Sequence, residues 1–214
     1  MPAPKVSREL NATSFALLAL LAVRPFTTYE LAQQMNRTLR WFWPKAESVL
    51  YEEPKKLVAR GLATSDREYT GRRASTRYAI TTAGRAALHD WLDEPGRGLS
   101  TESEALMKVA FADHGDRTQL LRTLGAIRAD GAARLAEVQA RSDAYVEDGG
   151  PFPDRLPVIA LINKFLLEQA ELLERWAGWA ESVVTEWPGV TPATGATAPP
   201  EAFTSGWPPR ERTV

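Results

Sequence analysis

The densest chemistry in this chain is cationic. Residues 37–85 hold 11 Lys and Arg against 5 Asp and Glu, a local balance of +6. Within that stretch Ser48, Tyr51 and Lys55 recur at spacings of three and four, so a helix there would carry them on one face. Glu52 and Ala59 join that face and Lys56 sits at its edge. Leu50, Pro54, Leu57 and Gly61 fall on the opposite side, which packs inward. Hydroxyl and ammonium groups of these lengths reach base edges and phosphates. Glu52 has two readings: it accepts from a cytosine amine, or it pairs with Lys55 or Lys56 and reads nothing. Arg72, Arg73 and Arg77 follow in a strand-like segment. Three guanidiniums on a narrow ribbon suit phosphate oxygens or the minor groove. A cationic helix face alone is an ordinary solvated surface. Joined to a basic hairpin tip, it points to a polyanion site.

Composition narrows the alternatives. The 214 residues carry a net charge of −1, close to neutral. Residues 1–95 hold 14 cations against 10 anions, and residues 96–214 hold 12 against 17. The basic site is therefore local. There is no Cys, which excludes disulfides, a thiol nucleophile and thiolate metal sites. The two His, His89 and His114, have no motif neighbours that suggest a triad, and a three-His metal site is excluded. No phosphate loop, dinucleotide fingerprint or nucleophile elbow is present. We therefore expect no enzyme, no catalytic or metal site and no cofactor. The apolar run Phe15–Val23 follows Lys5 and Arg8, but Glu9 interrupts that basic region and Arg24-Pro25 stands where a small-residue cleavage site should be, so the run reads as a buried helix. No run approaches the ~18 apolar residues of a membrane span. The cytoplasm is the expected location.

The elements that must position the cationic groups follow from local signals. Residues 11–23 read as a first helix, with Asn11 or Thr13 as its cap and Arg24-Pro25 as its stop. Thr27 and Glu30 match a capping box that opens a second helix. Pro44 suits the first turn of a third helix running to about Arg60. Pro54 lies inside it, so that helix either kinks or begins later. Leu62–Tyr69 and Ser75–Thr81 read as strands around a hairpin tip at Thr70–Ala74. Thr82 caps a fourth helix. A short helix is expected over Thr101–His114, a long one from Asp116 to about Glu147, and a last one over about Asp154–Trp187. The last carries two adjacent apolar stripes, one through Val158, Ile162, Phe165, Leu172, Trp176 and Trp179, the other through Ile159, Leu166, Leu173, Ala177, Ala180 and Val184. Such a wide apolar face exceeds what one packing partner needs, so it predicts a second subunit.

Three helices, a hairpin and a fourth helix are the order of a winged helix-turn-helix, whose third helix enters the major groove. The expected fold is mainly α, with this unit followed by an all-α dimerisation domain. Specific stretches then carry a family resemblance. Thr28-Tyr29-Glu30-Leu31, Trp41-Phe42-Trp43-Pro44 and Ser48-Val49-Leu50-Tyr51-Glu52 resemble the PadR family of transcriptional regulators. So do Leu57–Leu62 and Tyr78–Arg85, and Glu104–Phe111 looks like the opening of that family's C-terminal domain. The match covers about residues 11–93 and is specific in combination. Pro54 departs from it, standing where many members carry Leu. The resemblance implies a homodimeric repressor that some aromatic or drug-like effector releases from DNA. By position it implies DNA contacts at Tyr29, Ser48, Tyr51, Lys55, Lys56 and the wing arginines Arg72, Arg73 and Arg77. Lys45, in the first turn of the expected third helix, joins this candidate set.

Domain boundaries are expected at 1–94 for the DNA-binding unit and 95–187 for the helical unit. Residues 188–214, with six Pro and three Gly, read as a disordered tail. Met107, Phe111, Phe165, Trp176 and Trp179 are the candidate effector-binding residues. An aromatic stripe at helical spacing is more often packing, so a dimer core is the stronger reading of the two Trp. The expected partners are double-stranded DNA with an inverted repeat, a second copy of the chain and a small aromatic effector, with no membrane. The alternative is a winged-helix protein-interaction module. It gives no reason for the excess of cations in residues 37–85.

Overall fold

The computed structural model describes residues 10–44, 46–70, 73–150 and 152–204. Lys45 and Arg72 lie outside the described residues, and so does the side chain of Arg73. The chain divides into two compact units, residues 1–99 and 100–214.

In the first unit, α1 (Ala12–Val23) is capped by Asn11, whose side chain accepts from the Ser14 amide. Beyond Thr13 and Ser14 it is apolar, as suits the centre of the unit, and Phe15, Leu17, Leu18 and Leu21 are fully enclosed. β1 (Phe26–Thr27) leads into α2 (Thr28–Thr38) through the expected capping box, in which Thr27 and Glu30 satisfy each other's amides. α3 (Glu47–Ala59) starts three residues after Pro44. Two bonds of Trp43 account for the delay. The Trp43 amide donates to the Leu39 carbonyl at 2.7 Å, and the Trp43 indole donates to Thr13 Oγ1 at 3.1 Å. These bonds close residues 39–43 into a turn, so Pro44 follows a turn and does not begin a helix. Pro54 stays inside α3.

β2 (Ala63–Thr70) and β3 (Arg73–Ile80) form the hairpin, and β1 adds to the other edge of β3. The antiparallel order is β1-β3-β2, with Phe26 opposite Tyr78 and Thr27 opposite Arg77. The hairpin tip is shorter than expected, since β2 runs to Thr70 and β3 begins at Arg73. α4 (Thr82–Asp93) is capped by Thr81, one residue earlier than expected, and Trp91 stacks on Phe15 at 4.9 Å.

In the second unit, α5 (Glu104–Ala110) is shorter than expected and ends in a 3-10 turn at Ala112–His114. α6 (Arg117–Asp148) opens with an Asp116–Gln119 capping box and ends at Gly149, whose φ of 75° is left-handed. α7 (Leu156–Thr185) packs along α6. Gly131 makes the close approach possible, because a Cβ there would sit 2.7 Å from the Glu174 backbone nitrogen. Arg117 donates to the Val184 and Thr185 carbonyls, capping the C-terminus of α7 with a cation. Residues 188–204 depart from the expected disorder. They form two 3-10 turns, and Val190 packs against the Leu120, Leu124, Ala180 and Val184 cluster. The apolar anchors Trp187 and Val190 hold what composition alone suggests is loose. Among the described residues no helix is long and apolar enough to cross a membrane.

Gly84 sits where α4 meets the end of α3. Its amide donates to Thr81 Oγ1, and a Cβ would collide with the Leu62 carbonyl oxygen and lie 2.8 Å from Ile80 Cγ1. Gly84→Ala should cost about 1–3 kcal/mol of stability, read as a lowered urea midpoint. Gly96, with open space around it, should accept Ala with no change.

Candidate nucleic-acid interface

α3 has two faces of opposite character. Leu50, Glu53, Pro54 and Leu57 are buried, and Ser48, Tyr51, Glu52, Lys55, Lys56 and Ala59 are exposed. The buried acid is the unexpected member. Glu53 is only 2% exposed. It accepts from Ser14 Oγ of α1 and from Lys56 Nζ at 3.0 Å. Sequence reasoning missed it because an acid at that place reads as solvated surface. The available signal was its position, 60° from Leu50 on the inward side at 100° per residue.

The outer face holds the phenol of Tyr51, the hydroxyl of Ser48 and a tight ion pair. Lys55 Nζ donates to Glu52 Oε1 at 2.7 Å. That hydrogen bond and charge hold the Lys55 ammonium above its ordinary pKa. Glu52 is therefore paired with Lys55 in the structure. Tyr29, at the start of α2, is 66% exposed.

The wing is tied to α2 by ion pairs. Arg77 Nε donates to Glu68 Oε1 at 2.7 Å, and its Nη1 lies 3.5 Å from Glu30 Oε2. Arg24 reaches Glu30 Oε1 at 3.5 Å. Arg77, expected on the wing ribbon beyond the tip, therefore sits in an ion-pair network at the base of the wing. Partial burial pushes the Glu30 carboxyl up. The Thr27 hydrogen bonds and the charges of Arg24 and Arg77 outweigh that and hold it below the ordinary value. On β2, Arg67 lies with its guanidinium 6.0 Å from the Tyr69 ring, and Tyr69 is well exposed. The period-2 spacing of these two residues was the signal for a further wing face.

The candidate effector residues do not form one site. Trp176 and Trp179 are partly buried and pack against the Leu120–Val184 cluster with Val109 and Ala112. Met107 and Phe111 are exposed on and just after α5, and Phe165 lies 11 residues from Trp176 along α7. A shallow cleft in this unit is lined by Arg128, Glu171, Glu174, Arg175 and Gly178, and by none of the five.

A three-helix unit with a hairpin, a fourth helix and an exposed polar third-helix face defines a winged helix-turn-helix protein. Two family models match the chain: the transcriptional regulator PadR-like family over residues 17–90, and the virulence activator alpha C-terminal family over residues 102–185. The negative transcriptional regulator PadR of Bacillus subtilis (strain 168) is 30% identical over 178 residues, spanning 82% of this chain and 97% of that protein. The chain belongs to the PadR-like family of transcriptional regulators. Its fold is shared with the crystal structure of Bacillus subtilis PadR in complex with operator DNA, at a TM-score of 0.70 and 21% identity over 81% of this chain and 99% of that one. The structure of the same protein in complex with p-coumaric acid matches at a TM-score of 0.64 and 22% identity, over 81% of this chain and 95% of that one.

The depressed Glu30 carboxyl has a consequence for acid stability. It adds stability that is complete above the ordinary carboxylate value of 4.5 and is lost as pH falls below it through the folded-state value. Glu30→Gln should flatten the acid limb of a pH series of urea midpoints. An acid limb as steep as that of the wild type would place the sensitivity elsewhere.

Proposed function

We propose that this protein is a homodimeric repressor that reads an inverted-repeat operator, and that a small aromatic effector releases it. The observation that carries the reading is the outer face of α3, where Ser48, Tyr51, Lys55 and Lys56 stand exposed together on a helix anchored from behind. In this account Tyr51, Ser48 and Lys55 meet base edges in the major groove. Tyr29, Lys45, Lys56, Arg72 and Arg73 meet the backbone. Arg77 contributes by holding the base of the wing. The name of the Bacillus subtilis relative, a negative regulator, supports repression as the direction of control.

The second unit supports the dimer. One apolar stripe of α7, through Leu166, Ala177, Ala180 and Val184, is buried within the chain. The other is left open at Val158, Leu161, Ile162, Phe165 and Leu172. A second copy supplies the missing cover, and two-fold symmetry of the protein then matches two-fold symmetry of the operator. Half-sites lie about 34 Å apart or a multiple of that. The p-coumaric acid complex of the relative supports a planar aromatic acid as the class of effector. Trp176 and Trp179 supply the nearest stacking surfaces in the candidate set.

Two measurements test this. Sedimentation equilibrium should give a dimer, and Ile162→Asp with Phe165→Asp should give monomers with weakened operator binding. A wild-type monomer would overturn the dimeric account. Replacing Arg72 and Arg73 with Ala should lower the slope of log K against log salt by about one unit per lost phosphate contact. An unchanged slope would remove the wing from the DNA contacts.

A further inference from the structure

The Glu52–Lys55 pair lies on the surface of α3, where an i,i+3 ion pair adds only a few tenths of a kcal/mol to the helix. Both side chains are well exposed, at 62% and 60%. The pair nevertheless occupies the middle of the α3 face argued above to enter the major groove. A helix that must approach a polyanion gains nothing from a carboxylate there unless the carboxylate meets a donor. The major-groove edge of a base pair supplies one.

We propose that Glu52 and Lys55 act as one unit that reads a single G·C base pair in each half-site, Lys55 on guanine and Glu52 on cytosine. This rests on the DNA-reading function proposed above and names the base pair that it requires. The complementarity is geometric. In a G·C pair, cytosine N4 and guanine O6 are themselves hydrogen-bond partners, about 2.9 Å apart. Lys55 Nζ and Glu52 Oε1 are 2.7 Å apart. The ammonium can therefore face O6 and N7 while the carboxylate faces the second N4 hydrogen, with the side-chain ion pair kept.

An A·T pair also presents a donor beside an acceptor, but it fits less well. Its adenine N6 donor lies between the N7 and O4 acceptors, so a carboxylate on N6 is beside a lone pair on either side. The ammonium then finds a single acceptor on either side, adenine N7 or thymine O4 next to the methyl group. In G·C the ammonium has two acceptors, and the carboxylate sits at the end of the row with only the cytosine ring edge beyond it. The same carboxylate opposes binding where no such pair is offered, because it neutralises Lys55 and repels phosphate. Glu52 thus discriminates by attraction to one base pair and by penalty against the rest.

The experiment is selection of sites from a random duplex library by the full-length wild type, Glu52→Ala and Lys55→Ala. The wild type should recover a symmetric sequence with a fixed G·C pair at one position of each half-site. Both variants should relax that same position and leave the others intact. Changing that pair to A·T should weaken wild-type binding about tenfold or more, and should weaken Glu52→Ala, which keeps only the lysine contact, by clearly less. Glu52→Ala should also bind unrelated duplex more tightly than the wild type. A wild-type operator whose every position survives in Glu52→Ala would overturn this inference alone, as would variants that relax different positions. Recovery of no sequence by the wild type would overturn the DNA-reading function itself, and this inference with it.

Discussion

A buried carboxylate sets the rotation of α3 about its own axis. Removing an ion from water costs several kcal/mol unless partners replace the lost hydration. Glu53 finds them in Ser14 Oγ on α1 and Lys56 Nζ on its own helix. Turning α3 by one residue, about 100°, would break the Ser14 contact and carry Leu50 and Leu57 toward solvent. Pro54 adds to the constraint. It cannot donate to the Leu50 carbonyl, and it is fully enclosed by the core. With the inner face fixed by these groups, the outer face follows. Ser48, Tyr51, Glu52 and Lys55 point outward because the other side of the helix has no freedom.

The wing is held by a comparable arrangement at the surface. Glu30 completes the α2 capping box and receives Arg24 and Arg77. Arg77 stands on β3 and also grips Glu68 across the hairpin on β2. One carboxylate thereby ties the start of α2 to the central strand of the sheet. Surface ion pairs contribute little singly, but this one shares its members with a helix cap and a strand pairing. The second unit follows a different logic. There the long helices α6 and α7 meet through a close approach at Gly131 and bury one apolar stripe, leaving the other exposed.

How much of this could be read in the sequence depended on whether the cause was local. The Thr27–Glu30 box, the Asp116 cap and the Gly149 stop rest on residues three or four apart, and each stands where it was expected. The two stripes of α7 were visible for the same reason. The delayed start of α3 was not, because it depends on a bond from Trp43 to Thr13, 30 residues away. β1 is two residues long and exists only through its pairing with Tyr78 and Arg77. Arg77 looked like a wing cation because its carboxylate partners lie 9 and 47 positions away. Glu53 looked like surface because charge is a poor guide to burial when a hydroxyl waits on another helix. Of the candidate contacts, the exposed α3 face was legible from periodicity. The separation of Phe165 from Trp176 and Trp179 was equally legible from helix geometry, at 1.5 Å per residue.

The central claim is that two copies of the outer α3 face sit in the major groove of one symmetric duplex. Guanine-N7 methylation interference on a bound duplex tests it most directly, because N7 lies in that groove. The account predicts two symmetry-related clusters of interfering guanines, about 34 Å apart or a multiple of that. Binding that ignores N7 methylation, or a single unsymmetric cluster, would contradict it.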